Sequence, residues 1–181
     1  VVGQTVLITG MGPIGLFAAS ICQALGAAQV IGTEVSPYRI ALAKEVGVDL
    51  VLNPMDEDVP TKLAHLAPLG VDATLEMSGH PSALDLAVRH TRPGGRIRLL
   101  GVYSEAVQPL DINAVVFRGL DLQGIAGRRM WETWEQMGHL LAGGRLNLWP
   151  VITHQMHFTE FQQAMELMQA GEAGKVVFLF D

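Results

Sequence analysis

Residues Thr5–Gly15 read TVLITGMGPIG, an apolar run that leads directly into three glycines spaced GxGxxG. The run before the glycines is short and rich in β-branched residues, which is typical of a buried strand. After the glycines, apolar residues recur at helical spacing until Gly26: Ile14, Phe17, Ala18, Ile21, Cys22 and Leu25. We therefore expect Gly10, Gly12 and Gly15 to form a tight turn between a strand and a helix.

A turn of this kind can hold a pyrophosphate. Gly10 would permit the tight turn, Gly12 would admit the pyrophosphate, and Gly15 would let the helix approach the strand. Pro13 and Ile14 would begin the helix, whose free N–H groups and dipole favour a phosphate. The glycine spacing alone is a weak signal, but its place between a strand and a helix strengthens it. The sequence therefore predicts a dinucleotide-binding site.

A second strand, predicted over Gln29–Thr33, ends at the acidic residue Glu34. A carboxylate there can accept hydrogen bonds from both hydroxyls of an adenine ribose and would repel a 2′-phosphate. We therefore expect NAD rather than NADP, although Glu34 could also simply lead into the next helix. Arg39 follows in that helix. It could contact the ribose or the adenine, or it could be a solvated helix residue.

The rest of the chain alternates strands and helices, which predicts an α/β fold with a doubly wound, six-stranded parallel sheet of order 3-2-1-4-5-6. The remaining predicted strands are Asp49–Leu52, Val71–Met77, Arg96–Val102 and Leu120–Ala126. Ligands of such sheets bind at the carboxyl ends of the strands. We therefore count Ser78 and Gly79, which break the fourth strand, among the cofactor contacts.

The last segment of the chain departs from this alternation. We expect residues 1–145 to form the nucleotide-binding domain and residues 146–181 to form a strand–helix–strand tail. An extended segment at Trp149–His154 precedes a capping box at Thr159–Gln162, and the strongly apolar Lys175–Phe180 forms the last strand. That strand could join the main sheet as a seventh strand, or it could belong to a domain outside this chain.

Length, net charge and cysteine content argue against several classes of protein. The 181 residues suffice for one domain, and a net charge of −6 argues against a nucleic-acid partner. No apolar stretch approaches the roughly 18 residues that a membrane span needs. The single cysteine, Cys22, cannot form a disulfide within the chain, which favours a reducing, cytoplasmic location. No Cys/His pattern indicates a metal site, and no residue is predicted to be catalytic.

The chain starts at Val1 without a signal peptide, almost at the first strand. We expect it to be an excised domain or a processed fragment. The alternative is a complete small protein without its first residue.

Four segments resemble a known family: Ile8–Gly15, Leu75–Pro81, Gly127-Arg128 with Met130–Trp134, and Ile152–His154. They are similar to the cofactor-binding half of the zinc-dependent L-threonine 3-dehydrogenases, which are medium-chain dehydrogenases. The resemblance runs almost from end to end. The last two segments favour this family over the polyol dehydrogenases.

The resemblance implies oxidation of the 3-hydroxyl of L-threonine by NAD, giving 2-amino-3-oxobutyrate. It implies that Ile14 packs near the pyrophosphate and that Glu34 and Arg39 hold the adenosine ribose. It also implies that five residues line the nicotinamide side: Leu100, Gly101, Val102, Ile125 and Ala126. Ala126 stands where relatives often carry tyrosine.

In this family the catalytic zinc and its ligands come from an N-terminal domain that this chain lacks, and the tail returns to that domain. The resemblance therefore implies that the chain binds NAD but is inactive alone. In relatives the edge of the sixth strand pairs with a neighbouring subunit, so we expect a homo-oligomer. The alternatives are a polyol or alcohol dehydrogenase domain, a non-catalytic NAD sensor, and a methyltransferase that uses S-adenosylmethionine.

Overall fold

The computed structural model describes all residues from Val1 to Asp181, and helices alternate with strands along the chain. The first six strands are β1 (Thr5–Thr9), β2 (Gln29–Thr33), β3 (Leu50–Leu52), β4 (Val71–Glu76), β5 (Thr91–Leu99) and β6 (Asp121–Gly124). The helices among them are α1 (Pro13–Ala24), α2 (Pro37–Val46), α3 (Val59–Leu66), α4 (Pro81–His90), α5 (Ile112–Arg118) and α6 (Glu132–Ala142). The tail contains β7 (Ile152–His157), α7 (Phe161–Ala170) and β8 (Lys175–Leu179).

Strands β1 to β6 form one parallel sheet of order 3-2-1-4-5-6, so the predicted fold class is confirmed. Thr9 at the end of β1 is level with Thr33 of β2 and with Glu76 of β4. The carboxyl ends of these three strands therefore lie side by side. They flank the switch point of the sheet, because β2 and β3 extend it on one side of β1 and β4 to β6 extend it on the other. A ligand can reach all three ends from one crevice.

Both faces of the sheet are covered, which explains the apolar strands of the sequence. Successive β1 residues point to opposite faces: Val6 and Ile8 pack in the core beneath α1 and α2, whereas Leu7 packs with Leu63 of α3. Cys22 lies in the first of these clusters and is buried, as its helical spacing predicts. None of the helices is both long and apolar enough to span a lipid bilayer.

The helix starts differ in a way that concerns ligand binding. Ser36 caps α2 by accepting a hydrogen bond from the Arg39 N–H, and Pro37 occupies the first turn, as predicted. Helix α1 instead has Gly12 as its cap residue, and no side chain accepts a hydrogen bond there. Because the first N–H groups of a helix have no partner within the helix, the start of α1 remains free to bind an anion.

Strand β5 was predicted over residues 96–102, and the structure corrects both of its ends. It begins earlier, at Thr91, and ends earlier, at Leu99. The reason for the early end is that the N–H groups of Leu100 and Gly101 both donate to the carbonyl oxygen of Glu76, at 2.9 and 3.0 Å. Leu100, Gly101 and Val102 therefore belong to the loop that leaves the sheet.

The tail has the predicted strand–helix–strand order, but β8 is not a seventh strand of the main sheet. It pairs in parallel with β7 in a separate two-stranded sheet. The prediction of a capping box at Thr159–Gln162 is wrong. The capping box lies two residues earlier, at His157–Glu160, where the Glu160 carboxylate accepts from the His157 N–H at 2.8 Å. Val151 is fully buried in the core beneath α1, so the tail is anchored on the six-stranded unit.

Asp72 joins three neighbouring strands, and its ionisation should affect stability. Its carboxylate accepts from the Thr5 N–H at 2.9 Å and pairs with the Arg92 Nε at 2.7 Å. Burial raises the pKa of Asp72, but these hydrogen bonds and the Arg92 charge outweigh burial and hold the pKa below its usual value. Stability from a lowered carboxyl pKa is present above the unfolded pKa of about 3.9 and is lost as pH falls through the folded pKa.

Asp72→Asn is therefore expected to lower the free energy of unfolding by about 1 kcal/mol at pH 7 and to flatten its decrease in acid. Urea unfolding between about pH 2 and pH 7 measures both effects. The control is Asp85→Asn, because Asp85 pairs with Arg89 on an exposed helix surface. Equal acid dependence in the wild type and in Asp72→Asn would contradict the assignment.

Candidate functional site

A cleft of about 510 Å³ lies at the carboxyl ends of the central strands. Five of its lining residues were predicted from the sequence: Gly10, Gly12, Glu34, Arg39 and Ser78. The others come from the same loops: Thr33, Val35, Pro54, Met55, Met77, His80, Ser82 and Ala83. A second groove, of about 420 Å³, lies away from the strand ends, between α2 and the tail. The position of the first cleft at the strand ends makes it the candidate site.

The three glycines of the turn have distinct structural roles. A Cβ atom at Gly15 would collide with the carbonyl oxygen of Gly10, so this glycine is what lets α1 approach the turn. Gly10 has a φ of +85°, and a Cβ atom there would lie 3.0 Å from the Cβ of Ser78. A Cβ at Gly12 would meet no atom within 4 Å. Packing therefore requires Gly10 and Gly15, whereas Gly12 leaves open space beside the cleft.

Glu34 is almost entirely buried at the end of β2, and backbone groups already hold its carboxylate. Its Oε2 accepts from the Met11 N–H at 2.9 Å. Its Oε1 accepts from the Val35 and Ser36 N–H groups at 2.8 and 3.0 Å. A carboxylate has about four acceptor positions, so one position on Oε2 is unused. Glu34 thus ties the glycine turn to the end of β2 and keeps a single acceptor position for a ligand.

Arg39 lines the same cleft from the first turn of α2. Its Nε is buried and has no hydrogen-bond partner in the protein. Buried donors in native structures are nearly always paired, so an unpaired one indicates that a partner is absent. The cleft therefore combines an unused acceptor on Glu34, an unused donor on Arg39 and the open space at Gly12. This set of groups fits the ribose and pyrophosphate of a dinucleotide.

Glu76, which sequence reasoning missed, is the fully buried charged residue at the end of β4. Its Oε1 accepts from the N–H and hydroxyl groups of Ser78, at 2.8 and 2.5 Å, and from the Gly79 N–H at 3.0 Å. The Thr9 hydroxyl at the end of β1 donates to the same oxygen at 3.3 Å. The signal that could have revealed Glu76 is a carboxylate within the apolar run of β4.

Gly79 and the loop after β5 pack closely together. Gly79 has a φ of +70°, and a Cβ atom there would collide with the carbonyl oxygen of Val102. A Cβ atom at Gly101 would lie 2.5 Å from Oε2 of Glu76. Only glycine fits these two positions, because each meets backbone or a buried carboxylate. The structure therefore brings the predicted residues Gly79, Gly101 and Val102 together above Glu76.

Tyr103 is a second residue that the sequence did not single out. Its hydroxyl donates to Oε2 of Glu76 at 2.8 Å. Burial, together with this hydrogen bond and the negative charge of Glu76, raises the pKa of Tyr103 well above its usual value. The phenol therefore stays a hydrogen-bond donor over the physiological pH range. A tyrosine in a glycine-containing loop offers no pattern from which this contact could be foreseen.

The remaining predicted residues lie around the cleft rather than in it. Pro13 and Ile14 occupy the first turn of α1, where Ile14 is 58% exposed. Ile125 follows β6 directly, and its N–H donates to the Leu99 carbonyl at 2.9 Å, with Ala126 next in sequence. The structure thus collects Glu34 and Arg39, predicted for the adenosine side, in one cleft with Gly10, Gly12 and Ser78. The residues predicted for the nicotinamide side lie outside that cleft, along the adjoining strand ends: Leu100, Gly101, Val102, Ile125 and Ala126.

No three His, Cys, Asp or Glu side chains of the chain are grouped as metal ligands would be. The residues present therefore do not fit a catalytic zinc, which needs about three protein ligands.

Comparison with known proteins agrees with this geometry. The L-threonine 3-dehydrogenase of Pyrococcus horikoshii is 45% identical over 179 residues, which cover 98% of this chain and 51% of that protein. The predicted resemblance is thereby confirmed, and the chain spans about half the length of the curated relatives it matches.

Solved structures of dehydrogenases share the fold. The alcohol dehydrogenase TADH from Thermus sp. ATN1 superposes with a TM-score of 0.91 at 28% identity, covering 98% of this chain and 52% of that one. A protein from Sinorhizobium meliloti 1021 solved with NADP gives a TM-score of 0.86 at 27% identity, covering 99% and 53%. Residues 13–143 match the model of the family described as zinc-binding dehydrogenases. With this match over most of its length, the chain belongs to the zinc-binding dehydrogenase family.

Proposed function

We propose that this chain is the NAD(H)-binding part of an L-threonine 3-dehydrogenase, which oxidises L-threonine to 2-amino-3-oxobutyrate. The observation that carries the proposal is the convergence of Gly12, Glu34 and Arg39 on one cleft at the strand ends. The choice of substrate is supported by the 45% identity to the Pyrococcus horikoshii enzyme.

Glu34 and Arg39 complement the adenine ribose. Oε2 of Glu34 has an unused acceptor position that would suit a ribose hydroxyl, and the unpaired Nε of Arg39 would donate to a ribose oxygen. A 2′-phosphate would bring a second negative charge against the Glu34 carboxylate and would leave no hydroxyl to donate to it. The fold itself accommodates NADP in the Sinorhizobium meliloti protein. The preference for NAD therefore depends on Glu34 rather than on the fold.

The start of α1 provides the pyrophosphate site. No side chain caps this helix, so its first N–H groups have no partner within the helix, and Gly12 at its cap lines the cleft. Gly12 leaves space for the close approach of a phosphate, and Ile14 presents an exposed apolar side chain beside it. The helix dipole adds a further attraction for the negative charge.

When bound, NAD would accept a hydride from the substrate alcohol. This chain's own residues bind and orient the dinucleotide, with Val102 and Ala126 on the nicotinamide side. We infer that the zinc ligands come from a catalytic domain outside these 181 residues, since the matched relatives are about twice as long. The tail offers that domain an apolar surface of exposed aromatic side chains: Phe158, Phe161, Phe178 and Phe180.

The purified chain is expected to bind NADH at least about tenfold more tightly than NADPH, as one lost charge-assisted hydrogen bond amounts to about 1.5 kcal/mol or more. Calorimetric titration with each nucleotide measures this ratio.

The chain alone is also expected to produce no NADH from L-threonine and NAD, because it lacks a zinc ligand set. Absence of binding by both nucleotides would refute the nucleotide site, and a threonine-dependent rate would refute the need for a second domain.

We also propose that β6 pairs with a second copy of the chain. Strand β6 is the edge of the main sheet, and three of its four residues are exposed: Asp121, Gln123 and Gly124. An exposed edge presents unpaired N–H and C=O groups that a second, symmetry-related strand can satisfy. Light scattering should therefore give the mass of a dimer, and the mass of a monomer would contradict this assignment.

We place the protein in the cytoplasm. The single cysteine is buried in the core beneath α1, and no disulfide contributes to the fold. A protein of this kind suits a reducing compartment. Fractionation of the source cells tests the location, and recovery outside the cytoplasm would contradict it.

A further inference from the structure

We propose that Glu76 is a positioning residue for the nicotinamide half of the dinucleotide, and that the Tyr103 hydroxyl locks the loop after β5 onto it. The inference rests on the proposed NAD(H) site. It goes beyond that site because neither residue lines the cleft or belongs to the set of predicted contacts.

One buried carboxylate connects three strand ends. The side chain of Glu76 accepts from Thr9 at the end of β1, from Ser78 and Gly79 after β4, and from Tyr103 after β5. Its main-chain oxygen accepts from the Leu100 and Gly101 N–H groups as well. A single group thereby joins the end of β1 to the loops after β4 and β5, and the loop after β5 carries three residues of the proposed nicotinamide side: Leu100, Gly101 and Val102.

The loop after β5 is presented to the ligand through this contact. Gly101 rests directly on the carboxylate, and Tyr103 turns inward to donate to it. Val102, between them, points outward and is 91% exposed. Because Gly101 and Tyr103 on either side of it both lie against Glu76, Val102 is held on the outer side of the loop.

The adenosine side is held by a separate set of contacts. Glu34 is fixed by the N–H groups of Met11, Val35 and Ser36, none of which donates to Glu76. Ser78, which lines the cleft, donates to Oε1 of Glu76, whereas Tyr103 donates to Oε2. Loss of the Tyr103 hydroxyl should therefore weaken binding of the nicotinamide half of the dinucleotide and leave binding of the adenosine half unchanged. A purely structural role would instead weaken both halves together, or neither.

The experiment compares NADH with ADP-ribose, which contains every part of the cofactor except the nicotinamide. Tyr103→Phe removes only the hydroxyl, and Glu76 retains its other donors. We expect the dissociation constant for NADH to rise about five- to tenfold, corresponding to one hydrogen bond, and that for ADP-ribose to change less than twofold. Calorimetric titration of both ligands measures the split, and the melting temperature shows that the variant is folded.

Tyr38→Phe is the matched control, because Tyr38 is the other tyrosine of the chain and lies on α2 outside the cleft. It should change neither dissociation constant. Glu76→Gln supplies a second variant, and where it folds it should show the same split with a larger loss for NADH.

The outcomes separate the two proposals. If the wild type binds neither ligand, the proposed NAD(H) site is wrong and this inference is wrong with it. If the wild type binds both, and Tyr103→Phe weakens both equally or neither, only the positioning role is overturned.

Discussion

Gly12→Ala is expected to weaken NADH binding by about a hundredfold or more and to leave the chain folded, whereas Gly15→Ala should destabilise the fold itself. At Gly12 the backbone φ is −65°, and an added Cβ would meet no protein atom within 4 Å. A glycine-to-alanine change in such a conformation stabilises by about 0.4–1 kcal/mol through the unfolded state. The added methyl group instead fills the space that the pyrophosphate needs. Loss of two charge-assisted hydrogen bonds would weaken binding by about a hundredfold or more.

At Gly15 the added Cβ would collide with the carbonyl oxygen of Gly10, which is part of the turn and cannot rotate away. Overpacking of this kind costs about 3 kcal/mol, more than the ~1 kcal/mol that alanine gains over glycine within a helix. Urea unfolding and calorimetric titration of the two variants measure the contrast. Unchanged NADH affinity in Gly12→Ala would place the pyrophosphate elsewhere, and wild-type stability in Gly15→Ala would show that α1 can shift away from the turn.

Glu34→Gln is expected to lower both the stability of the chain and its preference for NADH. The glutamine amide replaces one carboxylate oxygen with a donor, so at least one of the Met11, Val35 and Ser36 N–H groups would face another donor. We expect a loss of about 1–2 kcal/mol in the free energy of unfolding. The ratio of NADPH to NADH dissociation constants should fall about tenfold or more, because the 2′-phosphate no longer meets a negative charge.

The matched control is Glu45→Gln, since Glu45 is exposed on the same helix as Arg39 and changes the net charge equally. It should alter neither the stability nor the nucleotide ratio. If Glu34→Gln keeps the wild-type ratio, the discrimination between NADH and NADPH does not come from Glu34. If Glu34→Gln loses the preference for NADH over NADPH but keeps the wild-type free energy of unfolding, the three backbone contacts of Glu34 contribute little to the stability of the fold.

Much of the architecture was predictable because its signals are local. The start of α2 is an example, since serine at the cap and proline in the first turn specify a helix start wherever they occur. The glycines Gly10, Gly12 and Gly15, placed between an apolar run and a helical apolar pattern, likewise predict a strand–turn–helix unit. The end of β5 could not be predicted in this way. It ends because the N–H groups of Leu100 and Gly101 both donate to the carbonyl oxygen of Glu76, which lies 24 and 25 residues earlier in the chain.

In the candidate site, the sequence alone determined which residues could meet a dinucleotide, because glycine spacing and an acidic residue after a strand are patterns within short segments. Only the tertiary structure decided which hydrogen bonds those residues make within the protein and which of their polar groups stay unpaired. It showed that Glu34 has three backbone partners and one free acceptor position, and that the Arg39 Nε is unpaired. It also placed Tyr103 against Glu76. The physical reason is that a hydrogen bond depends on where two groups lie in space, and parallel strands bring together groups that are distant in the chain.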